Sequence, residues 1–168
     1  MNQKSLAIIT ARGGSKRIPR KNIKDFCGKP IMAYSIEAAL EAGCFDTVMV
    51  STDDEEIAQI AKKYGAEVPF LRSERTAGDF ATTADVLMEV FEEYEKRGEK
   101  FDHAACIYPT APFVTAQKLK AGMSLLQEKQ GTMLMPIVAF SFPPQRGVVK
   151  KGEFLEFCYP QYRNSRSQ

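Results

Sequence analysis

The sequence predicts an α/β fold: a mainly parallel sheet with helices on both faces. Three observations carry that reading. Short apolar runs alternate with stretches of helical period through most of the chain, and parallel neighbours need such crossover connections. A basic, glycine-bearing loop follows the first apolar run, where open parallel sheets present ligand sites. The 168 residues, 44% hydrophobic and 26% charged, suffice for one domain with a sizeable core.

Ser5 to Ala11 (SLAIITA) reads as a buried strand entering that loop. Pro30 suits the first turn of a helix in which Met32, Ile36, Ala39 and Leu40 share a face, with Gly43 as its stop. Thr47 to Ser51 is the next strand. Ile57, Ile60, Ala61 and Tyr64 then stripe a helix ended by Gly65, and a short strand is expected near Glu67 to Phe70. Leu87, Val90, Phe91 and Tyr94 mark a third helix, with Thr82 or Thr83 as N-cap and Gly98 as C-cap. Ala104 to Tyr108 is a further strand, Leu119, Met123 and Leu126 a fourth helix, and Thr132 to Ala139 a last strand of the alternation. From about Pro143 the helical period fails, and the remainder reads as a hairpin-like excursion with a polar, irregular end. No internal repeat interrupts the series, so residues 1–168 read as a single domain.

A net charge of +2 suggests neither a nucleic-acid coat nor a polybasic membrane anchor, and no apolar stretch reaches the roughly 20 residues of a bilayer span. No nucleic-acid or membrane partner is therefore expected. Cys27, Cys44, Cys106 and Cys158 are too widely spaced for a zinc cluster and fit free thiols in a reducing cytosol, the expected location. A single histidine, His103, and no GxSxG argue against a Ser-His-Asp hydrolase.

The chemistry concentrates in Arg12 to Lys24, RGGSKRIPRKNIK, where Arg12, Lys16, Arg17, Arg20, Lys21 and Lys24 meet no acidic residue. Gly13 and Gly14 lack side chains, so backbone N–H groups could approach phosphate oxygens while the cations neutralise a polyanion. A solvated basic loop is the plain alternative; its position directly after the first strand favours a phosphate site. Neither GxxxxGK[ST] nor GxGxxG is present, which weakens ATPase and dinucleotide readings.

ARGGSK at Ala11 to Lys16, Lys21-Asn22, Gly28-Lys29-Pro30, VSTDDEEIA at Val50 to Ala58, FLRSERTAGDFATTADV at Phe70 to Val86, YPTAP at Tyr108 to Pro112 and the final YRNSRSQ together resemble the CMP-sialic acid synthetase family of activated-sugar cytidylyltransferases. Within it the chain is most similar to the pseudaminic acid branch, because Tyr108 and Val114 stand where sialic acid synthetases carry glutamine and often arginine. The resemblance implies a nucleotide-diphospho-sugar transferase fold, and transfer of CMP from CTP to a nine-carbon 2-keto sugar acid with release of pyrophosphate. It implies Arg12 and Lys21 as catalytic phosphate-holding cations, aided by backbone at Gly13, Gly14 and Ser15, with Ser15 and Lys16 as further candidates. Cytosine and ribose fall to backbone near Ala11, to Arg72 and to Thr83. Asn22 lies near the nucleotide, Tyr108 near the sugar, and Arg166 with Gln168 near its carboxylate, Arg163 being the weaker arginine there. For several of these a structural duty is equally readable: Arg72 as a surface ion pair with Glu74 or Asp79, Thr83 as an N-cap, Asn22 as a turn cap, Tyr108 as filler of a strand end.

The family also implies Mg2+, with acidic ligands in a C-terminal part beyond the match; no metal ligand is assigned within the chain, since Asp53 and Asp54 open a helix whose dipole explains them. A homodimer is implied, with residues 143–162 as the arm. On this reading the 168-residue form binds CTP weakly and turns over poorly or not at all. Sialic, legionaminic or Kdo-type acids remain alternative acceptors, and a non-catalytic nucleotide-binding protein is the alternative of another class.

Overall fold

The computed structural model describes residues 3–164, which fall into two compact units divided between Thr132 and Met133. In the first unit three strands, β1 (Ser5–Thr10), β4 (Thr47–Ser51) and β5 (His103–Ile107), form a parallel sheet in the order β4-β1-β5. Leu6 faces Thr47 on one side and Ala104 on the other, fixing the register. β1 is central and alternates as a strand covered on both faces must: Ala7 and Ile9 join one core cluster, Leu6 and Ile8 the other, all fully buried. Burying each of the larger ones contributes about 2 kcal/mol.

Between β1 and the first helix lies a two-residue ribbon, β2 (Asp25–Phe26) and β3 (Lys29–Pro30), closed by Cys27 and Gly28, both at positive φ as a type I′ turn requires. The Gly28-Lys29-Pro30 triplet is thus the turn that delivers α1 (Ile31–Ala42), with Pro30 as N-cap one residue earlier than expected and Gly43 ending the helix in the left-handed region. Met32, Ile36 and Ala39 from α1 and Ile57 and Ala61 from α2 (Glu55–Lys63) pack on the Ala7/Ile9 face; Leu40, expected in that stripe, is largely exposed. α5 (Ala116–Glu128) packs beside α1 and adds Leu119 to the same cluster.

After the single turn α3 (Glu74–Ala77), the opposite face belongs to α4 (Thr83–Lys96), whose Val90 and Tyr94 meet Leu6, Ile8 and Met49. Thr82, not Thr83, is its N-cap, with a reciprocal capping box to Asp85. Helices therefore cover both faces, as the alternation implies. The strand expected near Glu67 to Phe70 shrinks to one bridge, Met49 to Glu67, since Pro69 has no N–H to continue the ladder.

The second unit holds a hairpin, β6 (Val148–Lys151) with β7 (Phe154–Phe157), turned at Gly152. The strand expected over Thr132 to Ala139 does not form: residues 133–140 join no ladder among the described residues, and Met133, Met135, Ile137, Val138 and Phe140 are exposed. Its apolar pattern suits a strand, but a strand also needs a neighbour to take its backbone hydrogen bonds.

Tyr94 packs edge-to-face against Phe70 and Phe101, yet its buried hydroxyl has no partner among the described residues, and burial pushes its pKa up to about 12. Tyr94→Phe keeps the ring packing and removes a desolvated group, so thermal unfolding should show a gain of about 1 kcal/mol. A lowered melting midpoint would contradict this.

Candidate functional site

The chain runs from β1 through α1 to β4 on one side of β1, then crosses through α4 to β5 on the other. The carboxyl ends of β1 and β5 therefore flank a topological switch point, where open sheets form a crevice. A cleft of about 700 Å3 lies there, between Arg12 to Asn22 after β1, the Arg72 to Thr83 segment, and Tyr108 to Thr110 after β5.

The cleft brings together Arg12, Ser15, Lys16, Lys21, Asn22, Arg72, Thr83 and Tyr108 of the residues expected from sequence, and adds Arg17. Ala11, Gly13 and Gly14 do not line it. Ala11 is buried with its N–H donated to the Ser51 carbonyl (2.9 Å), and the Gly13 N–H donates to Asp53 Oδ1 (2.9 Å), so neither amide is open to a ligand in this arrangement. Ser15 donates its N–H to the Gly13 carbonyl (2.9 Å), curling the loop on itself. Gly13 is a glycine for want of room: a Cβ there would stand 2.6 Å from Asp54 Oδ2.

The six basic residues of the loop have separate fates. Arg20, in the left-handed region at φ 53°, turns away from the cleft to a bidentate pair with Asp54 and a contact with Glu56. Asp54 also caps α2 by accepting from the Ile57 N–H (3.0 Å). The Arg20 hydrogen bond holds the Asp54 carboxyl below its usual range. Lys24 does not line the cleft. Asn22, almost wholly buried, donates from Nδ2 to the Arg12 carbonyl (2.8 Å), while its Oδ1 is buried without a partner among the described residues. It thus fixes the peptide that carries Arg12.

On the facing wall, Arg72 makes no pair with Glu74 or Asp79. Its Nε donates to Ser51 Oγ (2.7 Å) and Nη2 to the Ser51 carbonyl (2.8 Å), while burial lowers its pKa from the usual guanidinium value. Thr83, released from capping by Thr82, lies 3.2 Å from the Tyr108 hydroxyl, and Tyr108 is exposed, so it does not fill the strand end. Val114 packs on the core away from the cleft. Arg166 and Gln168 lie outside the described residues, and Arg163 ends the last short turn of the second unit.

Asp79 is the member that sequence reasoning misplaces. Its carboxylate holds Arg12 Nη1 at 2.9 Å and also pairs with Lys16, which, with Arg12, keeps it ionised well below its ordinary pKa. Arg12 Nη1 donates as well to the Gly78 carbonyl (3.1 Å). Only tertiary approach of the Gly78 turn to the basic loop brings these groups together, a separation of some 66 residues that no local pattern encodes. His103 sits at the amino end of β5, at the sheet edge opposite the cleft, so it offers no base there. Among the described residues no three His, Cys, Asp or Glu side chains gather as a metal site, and no helix is long and apolar enough to cross a membrane.

Residues 6–151 match the family model described as "Cytidylyltransferase". The chain is 46% identical over 143 residues to the pseudaminic acid cytidylyltransferase of Campylobacter jejuni subsp. jejuni serotype O:2, which covers 85% of this chain and 62% of that protein. It is 33% identical over 153 residues to the CMP-N,N'-diacetyllegionaminic acid synthase of Legionella pneumophila subsp. pneumophila, covering 90% and 66%. The solved structure of CMP:2-keto-3-deoxy-manno-octonic acid synthetase complexed with CTP superposes with a TM-score of 0.64 at 24% identity, over 76% of this chain and 48% of that one, a likeness of fold. The chain thus spans about three fifths of the length of the Campylobacter relative.

Because the folded pKa of Asp54 is depressed, the Arg20–Asp54 pair stabilises the fold above the ordinary aspartate pKa of about 3.9 and loses that contribution as pH falls through the folded value. Asp54→Asn, which keeps the helix cap, should cost about 0.5–1 kcal/mol at pH 7, discounted for the exposure of Arg20. Urea unfolding at pH 7 and at pH 3 should show the gap to wild type narrowing in acid; a constant gap would assign Asp54 a purely uncharged role.

Proposed function

Because this chain belongs to the cytidylyltransferase family, we propose that its cleft binds CTP and serves transfer of CMP to the anomeric hydroxyl of a nine-carbon 2-keto sugar acid, pseudaminic acid, with release of pyrophosphate. The observation that carries the reading is the convergence of Arg12, Lys16, Arg17 and Lys21 on one wall of a single cleft, with Arg72, Thr83 and Tyr108 on the other. Triphosphate oxygens repel an incoming hydroxyl, so the cations must lower that repulsion and align the α-phosphorus for in-line attack. As the anomeric oxygen bonds to the α-phosphorus and its proton passes to solvent, the α–β bridging bond breaks and pyrophosphate leaves with the electron pair, its charge taken up by Arg12 and Lys21, which hold the phosphates. Ser15 and Lys16 assist, Arg72 reads cytosine, Thr83 meets the ribose or base, and Tyr108 stacks on the sugar.

Asp79 sets a condition on binding. Two of the cations already share its carboxylate, so a polyphosphate binds by displacing a single negative charge with several. The Mg2+ implied by the resemblance does not fit the acidic residues at this edge: Asp53 accepts from Gly13, Asp54 serves Arg20 and Ile57, and Asp79 serves Arg12 and Lys16.

The choice of pseudaminic acid rests on the 46% identical relative and on Tyr108; the legionaminic acid synthase at 33% makes that acid the nearest alternative acceptor. Four cysteines without a disulfide among the described residues suit the cytosolic setting proposed. Residues 143–162 are read as a homodimer arm, supported by Val148, Val149, Phe154 and Leu155 standing exposed on the β6–β7 hairpin. Light scattering should then report a dimer, and a monomer at micromolar concentration would remove the arm from this reading.

Titration with CTP and with inorganic pyrophosphate tests the site. Arg12→Ala should weaken both at least tenfold while its unfolding free energy stays within about 0.5 kcal/mol of wild type, whereas Asp79→Asn should tighten pyrophosphate about threefold. Unchanged affinities in Arg12→Ala would remove the phosphate site from this cleft. Pyrophosphate release with pseudaminic against legionaminic and sialic acids then ranks the acceptors.

A further inference from the structure

Among the described residues, Arg72 is the one cation of the cleft held by neutral groups alone. Its Nε donates to the Ser51 hydroxyl at 2.7 Å, its Nη2 to the Ser51 carbonyl at 2.8 Å, and its own peptide N–H to the Thr52 carbonyl at 2.8 Å. Ser51 is 1% exposed at the carboxyl end of β4, inside the sheet register, so it is a fixed point and not a mobile surface partner. These two side-chain bonds occupy the lateral edge of the guanidinium. The terminal edge, Nη1 with the second Nη2 proton, is left as a planar two-donor fork, and Arg72 lines the cleft.

We infer that Ser51 is a positioning residue: its hydroxyl fixes the plane of Arg72 so that the fork distinguishes cytosine from uracil. Cytosine offers adjacent acceptors at O2 and N3, matching two parallel donors, whereas uracil presents N3–H, a donor that the fork rejects. A fork free to rotate about its long side chain could still find one acceptor on either base; one fixed at its lateral edge cannot adapt. This rests on the assignment of Arg72 to the base, and it separates base recognition through Ser51 from phosphate binding through Arg12 and Lys21.

The test is calorimetric titration of the 168-residue chain with CTP, UTP and inorganic tripolyphosphate. Ser51→Ala and Ser51→Cys, the second keeping volume but accepting poorly, should weaken CTP roughly tenfold while leaving tripolyphosphate unchanged, so the CTP-to-UTP ratio falls. Ser51→Thr, which retains the hydroxyl, should restore the ratio. Equal weakening of all three ligands, or no change in the CTP-to-UTP ratio, overturns the inference and leaves Ser51 a packing residue. Arg72→Lys separates the two layers: if it leaves CTP affinity intact, the assignment of Arg72 itself falls. If it lowers CTP affinity selectively while the Ser51 variants do not, only the positioning role falls.

Discussion

The segment Ser51 to Asp54, at the carboxyl end of β4, is the anchor on which both walls of the cleft depend, through the carbonyls of its first two residues and the carboxylates of its last two. The Ser51 carbonyl accepts from Ala11 on one side and from Arg72 on the other; Thr52 accepts the Arg72 peptide N–H; Asp53 accepts from Gly13; Asp54 holds Arg20. Four consecutive residues thus tie the basic loop after β1 and the segment carrying Arg72 to one strand end. That strand end is itself held in a parallel ladder with β1, which is buried from Ser5 to Ile9. Precision at the site comes from the sheet, transmitted through hydrogen bonds whose acceptors cannot move without disturbing the core.

Electrostatics then divides the basic loop into working and structural parts. Arg20 is committed to acids on α2 and fastens the loop, whereas Arg12, Lys16, Arg17 and Lys21 face the cleft. Asp79 tempers that field in the absence of a ligand, because unopposed like charges in one wall would repel one another. Its hold is modest, since both ion pairs lie near solvent.

The alternation of strand and helix was readable because each covered face leaves a period in the sequence: Met32, Ile36 and Ala39 for α1, Val90 and Tyr94 for α4. The basic loop was readable because it is continuous. The strand expected over Thr132 to Ala139 shows the limit of that logic, as an apolar run states an appetite for burial but not whether a neighbour is there to pair with it. Contacts set by tertiary approach were likewise hidden: Asp79 with Arg12, Ser51 with Arg72, and Thr83 with Tyr108 join segments far apart in the chain. The capture of the Gly13 amide by Asp53 also had no local signature, since a glycine that yields its N–H to a ligand looks the same as one that yields it to a distant carboxylate of its own chain.

The tight seat of Gly13 against Asp54 has an evolutionary corollary. Any side chain at Gly13 collides with the carboxylate that grips Arg20, so a drift at either locus is penalised until the other has changed. Shortening Asp54 first forfeits the helix cap and frees Arg20, so neither single step is neutral. The pair is expected to behave epistatically, with descendants keeping both residues together or replacing the whole loop at once.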